Sequence, residues 1–272
     1  MSLLGGPAAR CLATFSLLLS IGSCGEDAAG QLSAVADNVD RIESGVLDMR
    51  LSVSAVSAPE ARIGFGIHGP FALEGTGLEA DLTYRQVAGS EEAEVRFVAV
   101  DGRAFVENDG TFFELPVEDD PSTAEAPTAL QDLGFEGWAA DPTVVGGDPG
   151  DHLTITSPLD EVSALAGIGR LLDDLEMKEA SGLAVLEGLD DEALERSVSS
   201  GSITVRIGPD DLLRELIVRM RFGVDPSSPL AEVLEGVTGA ELLFTVEIAE
   251  ANRPVSVEVP QGARPISELP GS

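Results

Sequence analysis

From Gly45 onward the apolar side chains of this chain fall on every second residue, and that period decides what it can fold into. In residues 45–57, Leu47, Met49, Leu51, Val53 and Ala55 alternate with Asp48, Arg50, Ser52 and Ser54. The same spacing returns in Ile63, Phe65 and Ile67, then in Val95, Phe97 and Ala99. It returns again in Ile203, Val205 and Ile207, in Leu216, Val218, Met220 and Phe222, and in Leu242, Phe244, Val246 and Ile248. Val255, Val257 and Val259 close the series. Successive side chains of a strand point to opposite faces, so each stretch predicts a strand with one apolar and one polar face. Strands of that kind belong to an antiparallel sheet wetted on one side. Asp101-Gly102, Asp109-Gly110 and Gly208-Pro209-Asp210-Asp211 supply turns for a long meander.

Helical spacing interrupts the meander. Leu32, Val35, Val39 and Ile42 form one apolar stripe in residues 31–43 and predict an amphipathic helix. Ser157-Pro158 reads as a cap with proline in the first turn, followed by Leu159, Val162, Leu165, Ile168, Leu171, Leu172 and Leu175. Gly167 and Gly169 weaken that helix by up to about 1 kcal/mol each. Two roles fit them, letting the helix bend or move, or permitting close packing against the sheet. A shorter helix is expected over residues 190–198, starting at Asp190 with Leu194 and Val198 on one face. Residues 117–150, rich in Asp, Glu, Pro and Gly, read as a loop with a short helix that sets Leu130, Leu133, Phe135 and Trp138 on the sheet. It either fills the edge of the core or serves as a lid.

The amino-terminal 23 residues have the order of a secretory signal: Arg10, a mostly apolar run, then small residues. The apolar run falls short of the roughly 20 residues that span a bilayer. Ile21-Gly22-Ser23-Cys24 resembles the lipobox of bacterial lipoproteins. That resemblance implies cleavage before Cys24, a diacylglycerol on its thiol and an acylated amino terminus, hence a membrane-anchored protein facing away from the cytoplasm. Residues 24–30 then read as a lipidated tether, and 31–272 as a single domain. Of the two cysteines, Cys11 leaves with the signal and Cys24 is taken by lipid, so no disulfide is expected.

The chain carries 48 acidic and 16 basic residues, a formal net charge of −32. Such a field repels phosphate backbones and excludes nucleic acid as a partner. Chemistry is sparse. His68 and His152 are the two histidines, and neither stands in a nucleophile motif or a Cys/His cluster. Asp148, Asp151 and His152 form the one compact group of hard-metal ligands, at a spacing that fits no EF-hand loop. Glu91, Glu92 and Glu94 read as a charged hairpin end. No catalytic residue, metal or cofactor is expected.

Three phrases carry a wider resemblance: residues 42–51, Ile-Glu-Ser-Gly-Val-Leu-Asp-Met-Arg-Leu; residues 102–115, from Gly102 to Leu115; and residues 252–260, from Asn252 to Pro260. With the lipobox cysteine and the broken meander, they resemble the actinobacterial LppX/LprG-type lipoproteins and the wider LolA/LolB-like fold. The resemblance implies an α+β fold, a curved antiparallel half-barrel with helices covering a concave apolar face that holds acyl chains. The expected ligand is therefore a lipid or other acylated molecule, carried across the cell envelope; an envelope sensor or protein-interaction module of the same fold is the alternative. The lining expected from the inward sets is Leu47, Met49, Leu51 and Val53, then Phe65 and Phe97. Leu216, Val218, Met220 and Phe222 continue it, followed by Leu242, Phe244 and Val246. On that reading a charge at Met220 or Phe244 abolishes ligand uptake and leaves secretion intact. A filled core shows the same alternation, so pattern alone leaves core and cavity open.

Overall fold

The computed structural model describes residues 24–74, 77–89, 91–116, 126–147, 153–175, 177, 197–223 and 239–269. The signal segment, residues 190–196 of the shorter expected helix, and the Asp148, Asp151 and His152 group lie outside them.

The period-two stretches become the strands of a single sheet. They are β1 (Ser44–Ala55), β2 (Ala58–Glu74), β3 (Gly77–Ala88), β4 (Glu91–Val100), β5 (Arg103–Asn108) and β6 (Thr111–Glu114). After a helical insertion come β7 (Thr143–Gly146), β8 (Leu153–Pro158), β9 (Val198–Ile207), β10 (Leu213–Gly223), β11 (Gly239–Ala249) and β12 (Arg264–Pro265). The spatial order is β12-β6-β5-β4-β3-β2-β1-β11-β10-β9-β8-β7. Two meanders thus join where β1 pairs with β11, Leu51 opposite Phe244. Every pairing is antiparallel except the short β12–β6 contact, and the sheet is curved and unclosed.

Turn chemistry holds as read. Asp101 and Gly102 have φ of 55° and 67°, and Asp109 and Gly110 have 49° and 75°. Both hairpins need two left-handed residues in succession, which Asp-Gly supplies with little strain.

Among the described residues the helices are α1 (Cys24–Ala36), α2 (Ala126–Ala129) and α3 (Glu161–Asp174). Helix α1 starts earlier than the stripe predicted, and residues 25–30 are helical rather than a loose tether. Ala28, fully buried one turn before Leu32, extends the apolar stripe; so small a side chain does not stand out in sequence. The stripe ends in a single 3-10 turn at Val39–Arg41 instead of continuing as α-helix to residue 43.

Three further expectations are corrected. Ser157-Pro158 does not cap α3 but ends β8. The cap is Asp160, whose Oδ1 accepts from the Ser163 amide at 3.0 Å, while the Ser157 hydroxyl accepts from the Asp141 amide. Val198 begins β9 rather than ending a helix. Val255, Val257 and Val259 keep their alternate burial, yet residues 254–260 join no strand ladder. Pro254 and Pro260 lack amide donors. Val257 and Val259 instead pack with Ala263 on a second apolar cluster, Val98, Val100 and Phe105, on the polar side of the sheet.

Candidate functional site

Register sorts the two faces. On the inner face, Met49 stands opposite Val246, Val246 opposite Leu216, and Leu216 opposite Val205. The next row runs Leu51, Phe244, Val218 and Ile203, and the next Val53, Leu242, Met220 and Gly201. These rows form one core with Leu32 and Val35 of α1 and Ile168, Leu171 and Leu172 of α3. Leu130, Leu133, Phe135 and Trp138, brought in by α2 and the 3-10 turns that follow it, are all buried in the same core. The insertion therefore fills, as the first of its two readings had it.

A water-sized hollow beside a side chain would leave that side chain measurably exposed. Leu47, Met49, Leu216, Val218, Met220, Leu242, Phe244 and Val246 are each 0 % exposed, and Leu51, Phe65 and Phe222 are also buried. Leu47, Met49 and Leu51 of β1 and the expected lining of β10 and β11 are thus packed side chain against side chain.

The other wing differs. Phe97 lies between Leu82 of β3 and Val106 of β5, and Val95 lies opposite Tyr84. Leu82 is buried, but Phe97, Val95, Val106 and Tyr84 remain partly exposed. The Tyr84 ring leans on Phe65, centroids 6.3 Å apart, and partial burial raises its hydroxyl pKa by desolvation. Val53 is also only partly buried, and its cross-strand partner Ile63 is 45 % exposed. An apolar strip therefore continues from the packed core toward the β1–β2 turn and across β3–β5.

The polar face holds something that strand patterning did not flag. Asp48, Arg50 and Ser52 of β1, Arg62, Gly64, Gly66 and His68 of β2, Thr83, Arg85 and Val87 of β3, Glu94 of β4 and Thr245 of β11 surround a hollow of about 610 Å³. The readable signal was two glycines at alternate positions inside a strand. Glu91, Glu92 and Glu94 are exposed at the start of β4, and Glu92 accepts from Arg85. Among the described residues no three His, Cys, Asp or Glu side chains are grouped to hold a metal, and no helix is long and apolar enough to cross a membrane.

The fold and its inner face define a class: an unclosed antiparallel half-barrel whose apolar side is covered by helices. No family model and no curated protein matches the chain. Among solved structures, LprF from Mycobacterium bovis is similar over 88 % of this chain and 99 % of that one, at 12 % identity and a TM-score of 0.45. LprF is of the LppX/LprG type named above from the sequence. A DUF1329 family protein from Desulfovibrio piger is similar over 86 % of this chain and 96 % of that one, at 9 % identity and a TM-score of 0.24. Neither likeness assigns a ligand or an activity to this chain.

Proposed function

We propose that this protein is a lipoprotein, anchored through acylated Cys24 on the outer side of the cell membrane, that binds the acyl part of a lipid or a similar hydrophobic molecule. Binding of that kind needs no catalytic residue and no cofactor: acyl chains exchange the bilayer for apolar protein surface. The observation that carries the reading is the incompletely covered strip of the inner face, Tyr84, Val95, Phe97 and Val106, continuous with a fully apolar core. A soluble domain rarely leaves a contiguous apolar strip without an occupant. Carriage of the ligand across the envelope belongs to the same proposal. Native mass spectrometry of an unacylated chain beginning at Gly25, purified without detergent and then extracted, tests it. A stoichiometric lipid is the expected result.

The burial of Trp138 and Phe135 in the packed core favours one other reading, a protein-interaction or sensor module with the same fold. A bare protein that takes up no added phospholipid, yet retains a membrane partner, would put that reading first.

A further inference from the structure

The hollow on the polar face has a specific origin. Along β2 the outward positions are Arg62, Gly64, Gly66 and His68. The two middle positions carry no side chain, while Arg50 of β1 and Arg85 of β3 stand directly opposite Gly66 on either side. Three arginines and one of the two histidines of a chain with net charge −32 therefore ring one bare stretch of backbone, with the carboxylates of Asp48 and Glu94 among them.

Across this face, the hollow included, arginines meet carboxylates. Arg96 makes a two-pronged contact with Asp81, Arg103 with Glu114, and Arg219 and Arg221 share Glu241. At the hollow, Arg50 donates to Asp48 through Nη2, Arg85 donates to Glu92 through Nη2, and His68 Nδ1 lies 3.5 Å from Asp48 Oδ2. A guanidinium has five N–H donors, so each keeps others free to serve a ligand. Arg62 is exposed and has no carboxylate partner among the described residues. The hydroxyls of Ser52, Thr83 and Thr245 also line the space. Forked cations plus hydroxyl donors match the several oxygens of a phosphoryl group better than a single carboxylate. The volume exceeds what one phosphate fills and leaves room for an organic ester. The overall negative charge does not forbid this, because at ordinary ionic strength fields beyond about 8–10 Å are screened.

We propose that the hollow framed by Arg50, Arg62, Arg85 and His68 over Gly64 and Gly66 binds a small phosphate ester, with Arg62 as its principal anchor. This site stands on the face opposite the proposed hydrophobic site and needs nothing from it.

Two variants separate the possibilities. Arg62→Ala removes an exposed side chain and leaves the core alone. Gly66→Leu fills the space: a Cβ at Gly66 meets only Arg50 Cγ at 3.5 Å and the Met49 carbonyl oxygen at 3.6 Å, ordinary contacts that the strand tolerates. At Gly64, by contrast, a Cβ would meet the Leu51 carbonyl oxygen at 2.1 Å, so that position is unsuited to the test. Titration calorimetry of the full-length protein with glycerol 3-phosphate should show saturable binding, weakened about tenfold or more by Arg62→Ala and abolished by Gly66→Leu. Arg264→Ala, an exposed change on β12, should bind as the parent does. A parallel measurement with phosphatidylglycerol vesicles separates a lipid head group from a soluble ester: capture of vesicles that fails in both hollow variants retains the site with a head group as its source. No saturable binding of either probe, or equal binding by the parent and both variants, overturns the proposal. Circular dichroism checks the fold of Gly66→Leu, and Arg62→Ala decides alone if that variant does not fold.

Discussion

Gly167 lies so close to Trp138 that a Cβ on it would fall 2.3 Å from the indole Cζ2 and 2.8 Å from Nε1. The tryptophan is in turn held to the start of α3, since its carbonyl accepts from the Asp160 amide at 2.8 Å. One contact thus fixes the helix, the insertion and the core beneath them. Gly167→Ala gains up to about 1 kcal/mol of helix propensity but overpacks a closed site at a cost of about 1–3 kcal/mol. Net destabilisation is expected in urea unfolding. Trp138→Leu relieves the clash, so the double variant should be less destabilised than the sum of the two changes; strict additivity would mean that the contact carries no energy.

The two Asp-Gly hairpins give a cleaner measure of backbone strain. Gly102 and Gly110 have φ of 67° and 75°, and no atom lies within 4 Å of where their Cβ would be. Alanine there meets only the left-handed penalty, about 1–2 kcal/mol. Gly137 has the same open space without a positive φ, so Gly137→Ala should leave stability unchanged or slightly raised. Equal losses at all three sites would contradict the turn assignment.

Asn252 shows how a residue outside any element can hold two together. Its Oδ1 accepts from the Glu43 amide at 2.8 Å, its Nδ2 donates to the Arg41 carbonyl at 2.9 Å, and its φ is 59°. These bonds tie the end of β11 to the entry of β1. Asn252→Ala loses both and keeps the strained φ, a cost of about 1–3 kcal/mol. Asn252→Gly loses the bonds alone and should be the milder change. The reverse order in thermal melts would show that the φ does not matter.

The sequence made the inner rows legible because burial there is strictly alternate: Leu216, Val218, Met220, Leu242, Phe244 and Val246 all turned inward. Strand β3 carried the same alternation in Leu78, Ala80, Leu82 and Tyr84, but alanine at one inward position weakened the signal. What could not be read was the third dimension. Whether a second valine set pairs or merely packs depends on donors that Pro254 and Pro260 remove, and whether Trp138 fills or gates depends on its distance from Gly167. The hollow over Gly64 and Gly66 required knowing that Arg50 and Arg85 flank those glycines, which only register supplies.

Acid should loosen the β5–β6 end of the sheet in a defined direction. The side-chain hydrogen bonds from Arg103, both 2.8 Å, hold the Glu114 carboxyl below its ordinary value of 4.5. A carboxyl depressed on folding contributes stability that is complete above its unfolded value and is lost as pH falls through the lower folded value. Glu114→Gln should therefore flatten the fall of stability below about pH 4.5, and leave the slope near neutrality untouched. Identical acid limbs for parent and variant would show that the pair is not formed in solution.

The expectation that a charge at Met220 or Phe244 would selectively stop ligand uptake needs revision on physical grounds. Met220 sits between Leu242 and Gly201 with no exposure, and an unpaired charge so placed costs several kcal/mol. Such a variant unfolds, and loss of uptake would then say nothing about a site. Phe97 is the better probe. It stands on the same face as Leu82 but is only partly buried, so Phe97→Asp perturbs the fold modestly while placing a charge on the strip where acyl chains would lie. Burying a phenylalanine-sized apolar surface is worth about 1.5–3 kcal/mol, so uptake of a fluorescent phospholipid should fall by about tenfold or more. Met220→Leu, which preserves volume and apolarity, should leave uptake and stability close to the parent's. Unchanged uptake by a folded Phe97→Asp protein would remove the β3–β5 strip as the ligand site.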